Sequence, residues 1–525
     1  MGLLSDMLRF AAFISFVLAI HGSPNCPEDC SCSHSTQEVV GPVYKVLCVQ
    51  KGLLSIPDLT VLQAIQLPVV LNLEQNEIKS VSMLDFPPGL NIFSLDLTKN
   101  PEMKIAQDAF NNMNMTLKKL VLEAIKMTFE HPLAMLNKLS VLEELSLSHN
   151  NRVGYVTGAI EDIRVSLFQG PVVRSLKILR MSNCGIRSMV HSTLAGLHAL
   201  EELDLSKNKF AQVPSTIKHL KNLKSLFMFR SGLHTVEDNS FQGMKSLEVI
   251  ELNTNTIKTL SKDAFKGLEH SLKKLRLDRC FMQQIPTEAL ANLYKLEYLD
   301  LSQNAFTIAP PKVFVGHYCL RTLLISSENM VVDTSTFAGQ ETCIRDLTMK
   351  QMKLTRVPRE ALVHLKSLQE LNLENNLIHR LPKNAFFGIK AMIISLAYNN
   401  LTHIEPGAFN GLPKRVSINL RHTHVSDIDF LIDYPEDAIE TVNLDNAHLL
   451  CRCSMKSSLN ATLNVNIHGT CMKQNLVLNL NSNRLAAILD EACLEESASN
   501  SSSLTMRTIT TQIVLFFAMW WGTRV

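Results

Sequence analysis

Leu200-Glu201-Glu202-Leu203-Asp204-Leu205-Ser206-Lys207-Asn208 places leucine at the first, fourth and sixth positions and asparagine at the ninth. The same spacing returns at Leu142-x-x-Leu145-x-Leu147-x-x-Asn150, Leu296-x-x-Leu299-x-Leu301-x-x-Asn304 and Leu368-x-x-Leu371-x-Leu373-x-x-Asn376. With apolar substitutes it has sixteen starts, at 68, 92, 117, 142, 176, 200, 223, 247, 272, 296, 320, 344, 368, 391, 415 and 439, and all but one interval is 23 to 25 residues. A short strand turns alternate apolar residues to one side, and the asparagine at the following bend can bond backbone groups of the neighbouring coil that would otherwise be buried without partners. One coil has no means of burying its own leucines, so the coils must stack, with their strands forming a parallel sheet on the inner face of a curved solenoid.

A second column keeps the same register. Phe110, Phe241, Phe265, Phe314, Phe386 and Phe409 each fall 18 positions after a start, as a stacked spine beneath the outer face would require. The long interval, 142 to 176, adds about ten residues between Gly154 and Pro171. It reads equally as a functional loop or as tolerated length variation.

Composition narrows the function. The 525 residues carry 51 Lys+Arg against 49 Asp+Glu, a net charge of +2, with no long run of like charge, so neither nucleic acid nor an anionic membrane surface is an expected partner. No G-x-S-x-G, H-E-x-x-H, Walker or dinucleotide-binding motif occurs, and the repeat disperses the 17 histidines along the coils. No catalytic residue, cofactor or metal is expected, and the cysteine spacing lacks the Cys-x2-Cys pairs of a zinc site.

The pattern resembles the extracellular typical class of leucine-rich repeat proteins. The resemblance implies an α/β solenoid, a horseshoe with a parallel β-sheet on its concave face. Cys26-x3-Cys30-x-Cys32-x15-Cys48 before the repeats and Cys451-x-Cys453-x17-Cys471-x21-Cys493 after them resemble that family's terminal caps, which cover leucines and strand edges of the end coils. The family's pairing, carried over, implies Cys26–Cys32, Cys30–Cys48, Cys451–Cys471 and Cys453–Cys493. The organisation expected is a signal peptide at 1–22, a cap at 23–67, the solenoid at 68–450, a cap at 451–494, and a spacer with an anchor signal at 495–525.

Four cysteines remain. Cys184 and Cys280 occupy the asparagine position and are expected as buried thiols. Cys319 and Cys343 each precede a start, 24 residues apart, and a strand spacing of roughly 4.8 Å predicts a disulfide between them.

Both ends read as processing signals. The apolar run Phe10 to Ile20 is too short to span a bilayer and fits a cleaved leader. Small residues around Ser499, Asn500 and Ser501, a polar spacer and the apolar run from Ile513 to Trp521 fit a signal for glycosylphosphatidylinositol attachment, with a transmembrane span or a secreted form as alternatives. Asn114, Asn400, Asn460 and Asn500 head N-x-S/T sequons, expected to carry glycans on exposed turns.

On the concave strands the middle variable residues run Arg180, Asp204, Phe227, Glu251, Arg276, Asp300, Leu324 and Thr348. The alternating charges read as a ladder of ion pairs. Against that background Phe227, Phe229, Arg230, Arg276, Arg279 and Tyr298 are predicted to form the centre of a partner-binding patch, because phenylalanine beside arginine and tyrosine is typical of interface hot spots. Together with the anchor, the pattern is similar to connectin- and chaoptin-like arthropod adhesion proteins and, more distantly, to Toll ectodomains and the variable lymphocyte receptors of jawless fish. The resemblance implies membrane-tethered adhesion or surface recognition without catalysis. A soluble scaffold of an extracellular complex and innate immune recognition are the alternatives. The implied partner is a protein ligand on another cell, a co-receptor, or a second copy of the chain.

Overall fold

The computed structural model describes residues 25–496 except 38–39, 308–312, 316–318, 329, 433, 436–437, 462–464, 474–475 and 481–483. The leader, Ser499, Asn500, Ser501 and the apolar tail therefore lie outside the described residues. The chain divides into two compact units, Met1–Met282 with Pro286–Leu296, and Gln283–Ile285 with Glu297–Val525.

In the first unit each coil contributes one strand to a parallel sheet. Leu179 pairs with Leu203, Leu203 with Leu226, Leu226 with Ile250 and Ile250 with Leu275, so the fourth position of every repeat stays in register. All five side chains are fully buried. Each contributes about 1.5–3 kcal/mol on removal from water. The sheet starts earlier than the repeat count: Gly41–Leu47 of the cap pairs in parallel with Val69–Asn72, and its other edge is closed by an antiparallel hairpin with Ser31–Gln37. In the second unit the strands run in the same manner from Tyr298–Asp300 to Ile439–Leu444, and Asn466–Lys473 of the C-terminal cap extends them and pairs antiparallel with Leu476–Asn479.

The asparagines carry out the role that their position predicts. Asn208 Oδ1 accepts the amides of Cys184 (3.0 Å) and Ile186 (3.1 Å) on the preceding coil, while its amide nitrogen donates to Met181 O (2.9 Å) and Leu205 O (2.8 Å). Asn150, Asn255 and Asn376 repeat the arrangement. Where cysteine replaces asparagine the donor half survives: the Cys184 thiol reaches Leu147 O at 3.3 Å and Cys280 reaches Leu252 O at 3.4 Å. Burial pushes the Cys184 thiol up to about 12. The residue before the asparagine position is left-handed in coil after coil, as at Lys207 (φ 58°), Arg230 (φ 52°) and Arg279 (φ 55°).

On the outer side the expected phenylalanine spine is present and longer than expected. Phe86 lies tilted against Phe110 at 6.1 Å and Phe241 stacks on Phe265 at 5.9 Å in the first unit; Phe314 stacks on Phe337 at 6.4 Å and Phe386 on Phe409 at 5.3 Å in the second. This side holds turns, short two-stranded pairs and single-turn helices such as Thr287–Leu290 and Arg359–Leu362, so the described coils form a β-solenoid rather than strand–helix units.

Disulfides join Cys26 to Cys32 and Cys30 to Cys48 at one end, and Cys451 to Cys471 and Cys453 to Cys493 at the other. The predicted Cys319–Cys343 bond is not formed. Both residues are thiols, and the Cys319 side chain hydrogen-bonds that of Cys343. Both stand in the turn ahead of the strand, where the Cys343 amide bonds back to Gln340 O at 3.1 Å, so strand spacing does not set their separation. Of the sequons within the described residues, Asn400 is exposed just after a turn, Asn114 is half-buried at the end of a 3-10 turn, and Asn460 lies within the cap helix Cys453–Ala461 rather than on a turn.

Candidate partner-binding face

The first unit carries the predicted ion pairs and, apart from Tyr298, the side chains named for the patch. The ion-pair ladder is real and local. Glu144 meets Lys119 at 2.9 Å and also Arg180, whose guanidinium bridges onward to Glu202 at 2.9 Å. Burial opposes ionisation of Glu144, but Lys119 and Arg180 outweigh it and hold its carboxyl below the usual carboxylate range. Two coils further on, Glu251 pairs with Lys274 at 2.7 Å and Arg276 at 3.7 Å, and Arg276 also holds Asp278 at 3.0 Å.

Between these two clusters Lys224 pairs with Glu201 at 2.8 Å, but the strand that follows it, Ser225–Phe227, carries no charged side chain to continue the ladder. Phe227 stands in register with Asp204 on one side and Glu251 on the other, and offers no charge to either. Phe229 follows it, with the Lys207 ammonium 5.7 Å from its ring centroid. Arg230 and Arg279 are exposed.

The predicted patch is therefore assembled in part. Phe227 and Phe229 are half-buried rather than fully solvated, because side chains of the neighbouring strands flank them. Arg276 is an ion-pair residue inside the ladder. Tyr298 is half-buried in the second unit. The structure adds an exposed ring that the column count did not single out, Phe281, which is 64% exposed at φ 61° directly after Cys280. In the second unit Tyr398 stacks on His422, with centroids 4.4 Å apart and planes 13° from parallel.

The inserted coil is docked. Asn151 is fully buried, and its Oδ1 accepts the amides of Phe129 (3.1 Å) and Ile160 (3.3 Å) while its nitrogen donates to Ile160 O (2.7 Å). Glu161 pairs with Arg187 and Lys209 of the two following coils. Among the described residues no three His, Cys, Asp or Glu side chains are placed to share a metal ion, and no helix is long and apolar enough to cross a membrane.

The repeats are shared with known proteins in sequence. Residues 174–233, 229–271, 270–330 and 344–393 match the leucine rich repeat family model. Human lumican is 25% identical over 354 residues, covering 63% of this chain and 90% of lumican. Bovine Toll-like receptor 3 is 30% identical over 200 residues, 34% of this chain and 22% of the receptor. Among solved structures, a TLR13–ssRNA13 complex covers 77% of this chain and 73% of its own, at 19% identity and a TM-score of 0.49. The chain thus carries leucine-rich repeats over the matched residues, a parallel β-solenoid within each unit, and disulfides near both ends.

Proposed function

We propose that this chain is an extracellular, membrane-tethered recognition protein acting in cell adhesion, which docks a protein ligand on the concave face of its first unit around Phe227 and Phe229. The observation that carries the reading is the break in the ion-pair ladder. Charged side chains pair across the coils to either side, and although Lys224 of the coil between the two clusters pairs with Glu201 just ahead of its strand, the inner positions of that coil present two half-buried aromatic rings instead of charges. Aromatic side chains flanked by arginine supply most of the energy in protein interfaces, while paired rim charges supply little.

Four disulfides support residence in the secretory pathway, since such bonds persist in oxidising compartments. The small residues at Ser499, Asn500 and Ser501 with the apolar run beyond them support a lipid anchor, and the sequon at the exposed Asn400 supports a glycan. Treating expressing cells with phosphatidylinositol-specific phospholipase C tests the tether: release into the medium is expected, and retention at the surface contradicts it. Surface cross-linking of the released chain, wild type beside Phe227→Ala/Phe229→Ala, tests the face. The double variant is expected to lose the cross-linked partner, and unchanged capture contradicts the assignment.

A further inference from the structure

Two polar atoms on this face have nothing to bond. Ser206 Oγ and Asn253 Oδ1 are both buried without a hydrogen-bond partner; Ser206 is fully buried and Asn253 is 9% exposed. They occupy the same position on the coils to either side of Phe229. The Lys207 amide donates to Phe229 O at 2.8 Å, and the Arg230 amide donates to Asn253 O at 3.0 Å. Such groups are normally paired in folded proteins, and a protein that keeps two of them flanking one half-exposed ring holds unused hydrogen-bonding capacity at that point.

The charge at the same point is unbalanced in one direction. Lys207 and Arg230 make no ion pair among the described residues, Lys207 meeting only the Phe229 ring. Most nearby carboxylates are already ion-paired. Glu202 is held by Arg180, Glu251 by Lys274 and Arg276, and Asp278 by Arg276; Asp204 accepts the Ser206 amide at 2.8 Å and has no cation partner among the described residues, which leaves two unpaired cations against one unpaired carboxylate.

We infer that the face takes an extended acidic segment of a partner polypeptide. Its carboxylates meet Lys207 and Arg230, where hydrogen bonds assisted by charge are about twice as strong as neutral ones. Its backbone N–H reaches Asn253 Oδ1 and its backbone C=O or N–H reaches Ser206 Oγ as the Phe229 ring moves aside, while an apolar side chain of the segment packs on Phe227. Recognition of an extended segment through its own backbone groups, with side-chain pockets between, is an established mode of peptide binding. This inference rests on the docking role of Phe227 and Phe229 and adds to it the class of the partner.

Titration calorimetry of the phospholipase-released chain with poly-L-glutamate, in low salt, tests it, with poly-L-lysine and dextran sulfate as comparison probes. Poly-L-glutamate is expected to bind. Lys207→Gln/Arg230→Gln, both changes at surface positions, is expected to weaken it by about tenfold or more, and Asn253→Ala by about threefold. Thermal unfolding of each variant identifies any that has lost its fold, and the surface pair then decides the outcome. Absence of poly-L-glutamate binding overturns the inference. So does binding that the Lys207/Arg230 pair does not affect, or dextran sulfate binding as tight and equally sensitive, which would mark a site for charge alone. If poly-L-glutamate fails while Phe227→Ala/Phe229→Ala still abolishes partner capture, the docking face stands and only the acidic class falls.

Discussion

The Lys207 ammonium lies 5.7 Å from the centroid of the Phe229 ring, one coil away. A cation over an aromatic face at this distance contributes about 0.5–1 kcal/mol at an exposed site, too little to hold the coil together but enough to orient both groups toward a partner. Stability and recognition therefore separate on this molecule. Phe241→Ala, in the buried outer spine against Phe265, is expected to cost about 3–5 kcal/mol in urea unfolding, whereas Phe227→Ala at the half-buried concave position costs about 1 kcal/mol. Equal losses at the two sites would contradict the division.

The asparagine ladder predicts a second large effect. Asn208→Ala leaves two amides of one coil without this acceptor and the carbonyls of Met181, Leu205 and Ser206 without this donor. An expected loss of about 2–4 kcal/mol follows, measured by denaturant midpoint, with Asn208→Asp recovering only the acceptor half. A change within about 0.5 kcal/mol for Asn208→Ala would show that the ladder is dispensable.

Thiol chemistry separates the four cysteines outside the disulfides. Cys319 is exposed, while Cys184 and Cys280 are buried. Iodoacetamide on the native chain is expected to label Cys319 and to spare Cys184 and Cys280. Because burial pushes the Cys184 thiol up to about 12, raising the pH to about 9 does not bring it into reaction. Peptide mapping that found Cys184 modified before unfolding would contradict the packing of that coil.

Glu144 gives a pH dependence with a definite sign. Its carboxyl is depressed in the folded chain, so the unfolded state takes up the proton first as pH falls. Its contribution is present above the unfolded carboxyl range, about 4.3, and is lost as pH drops through the lower folded value. Glu144→Gln is expected to cost no more than about 1 kcal/mol at neutral pH and nothing in acid, where the two proteins converge in thermal stability. A Glu144→Gln deficit that persisted undiminished into acid would contradict the ion-pair origin of the effect.

Much of this was readable from residue spacing alone. Leu200, Leu203, Leu205 and Asn208 fix inward positions and a bend by a period that only stacked coils satisfy, and Phe241 and Phe265 fall at one offset because a spine demands it. Other features depend on what neighbouring coils do to one another. Phe337 joins the spine one residue out of register, and the cap strand Gly41–Leu47 enters the sheet without the repeat motif. Cys319 and Cys343 have the right separation along the chain but stand in turns, where strand spacing gives no guide. The patch was half legible: Phe227 and Phe229 stood out, but the burial of Ser206 and Asn253 beside them comes from three coils packing together, which no single repeat encodes.

The most direct test is the affinity of the released chain for the surface of partner cells, measured by flow cytometry for wild type, Phe227→Ala/Phe229→Ala, and Leu84→Ala, a control on a side chain 86% exposed elsewhere in the first unit. The double variant is expected to bind at least about tenfold more weakly, the loss of a hot-spot pair, with Leu84→Ala unchanged. Undiminished binding by the double variant, at a thermal stability matching wild type, would contradict the assignment of this face.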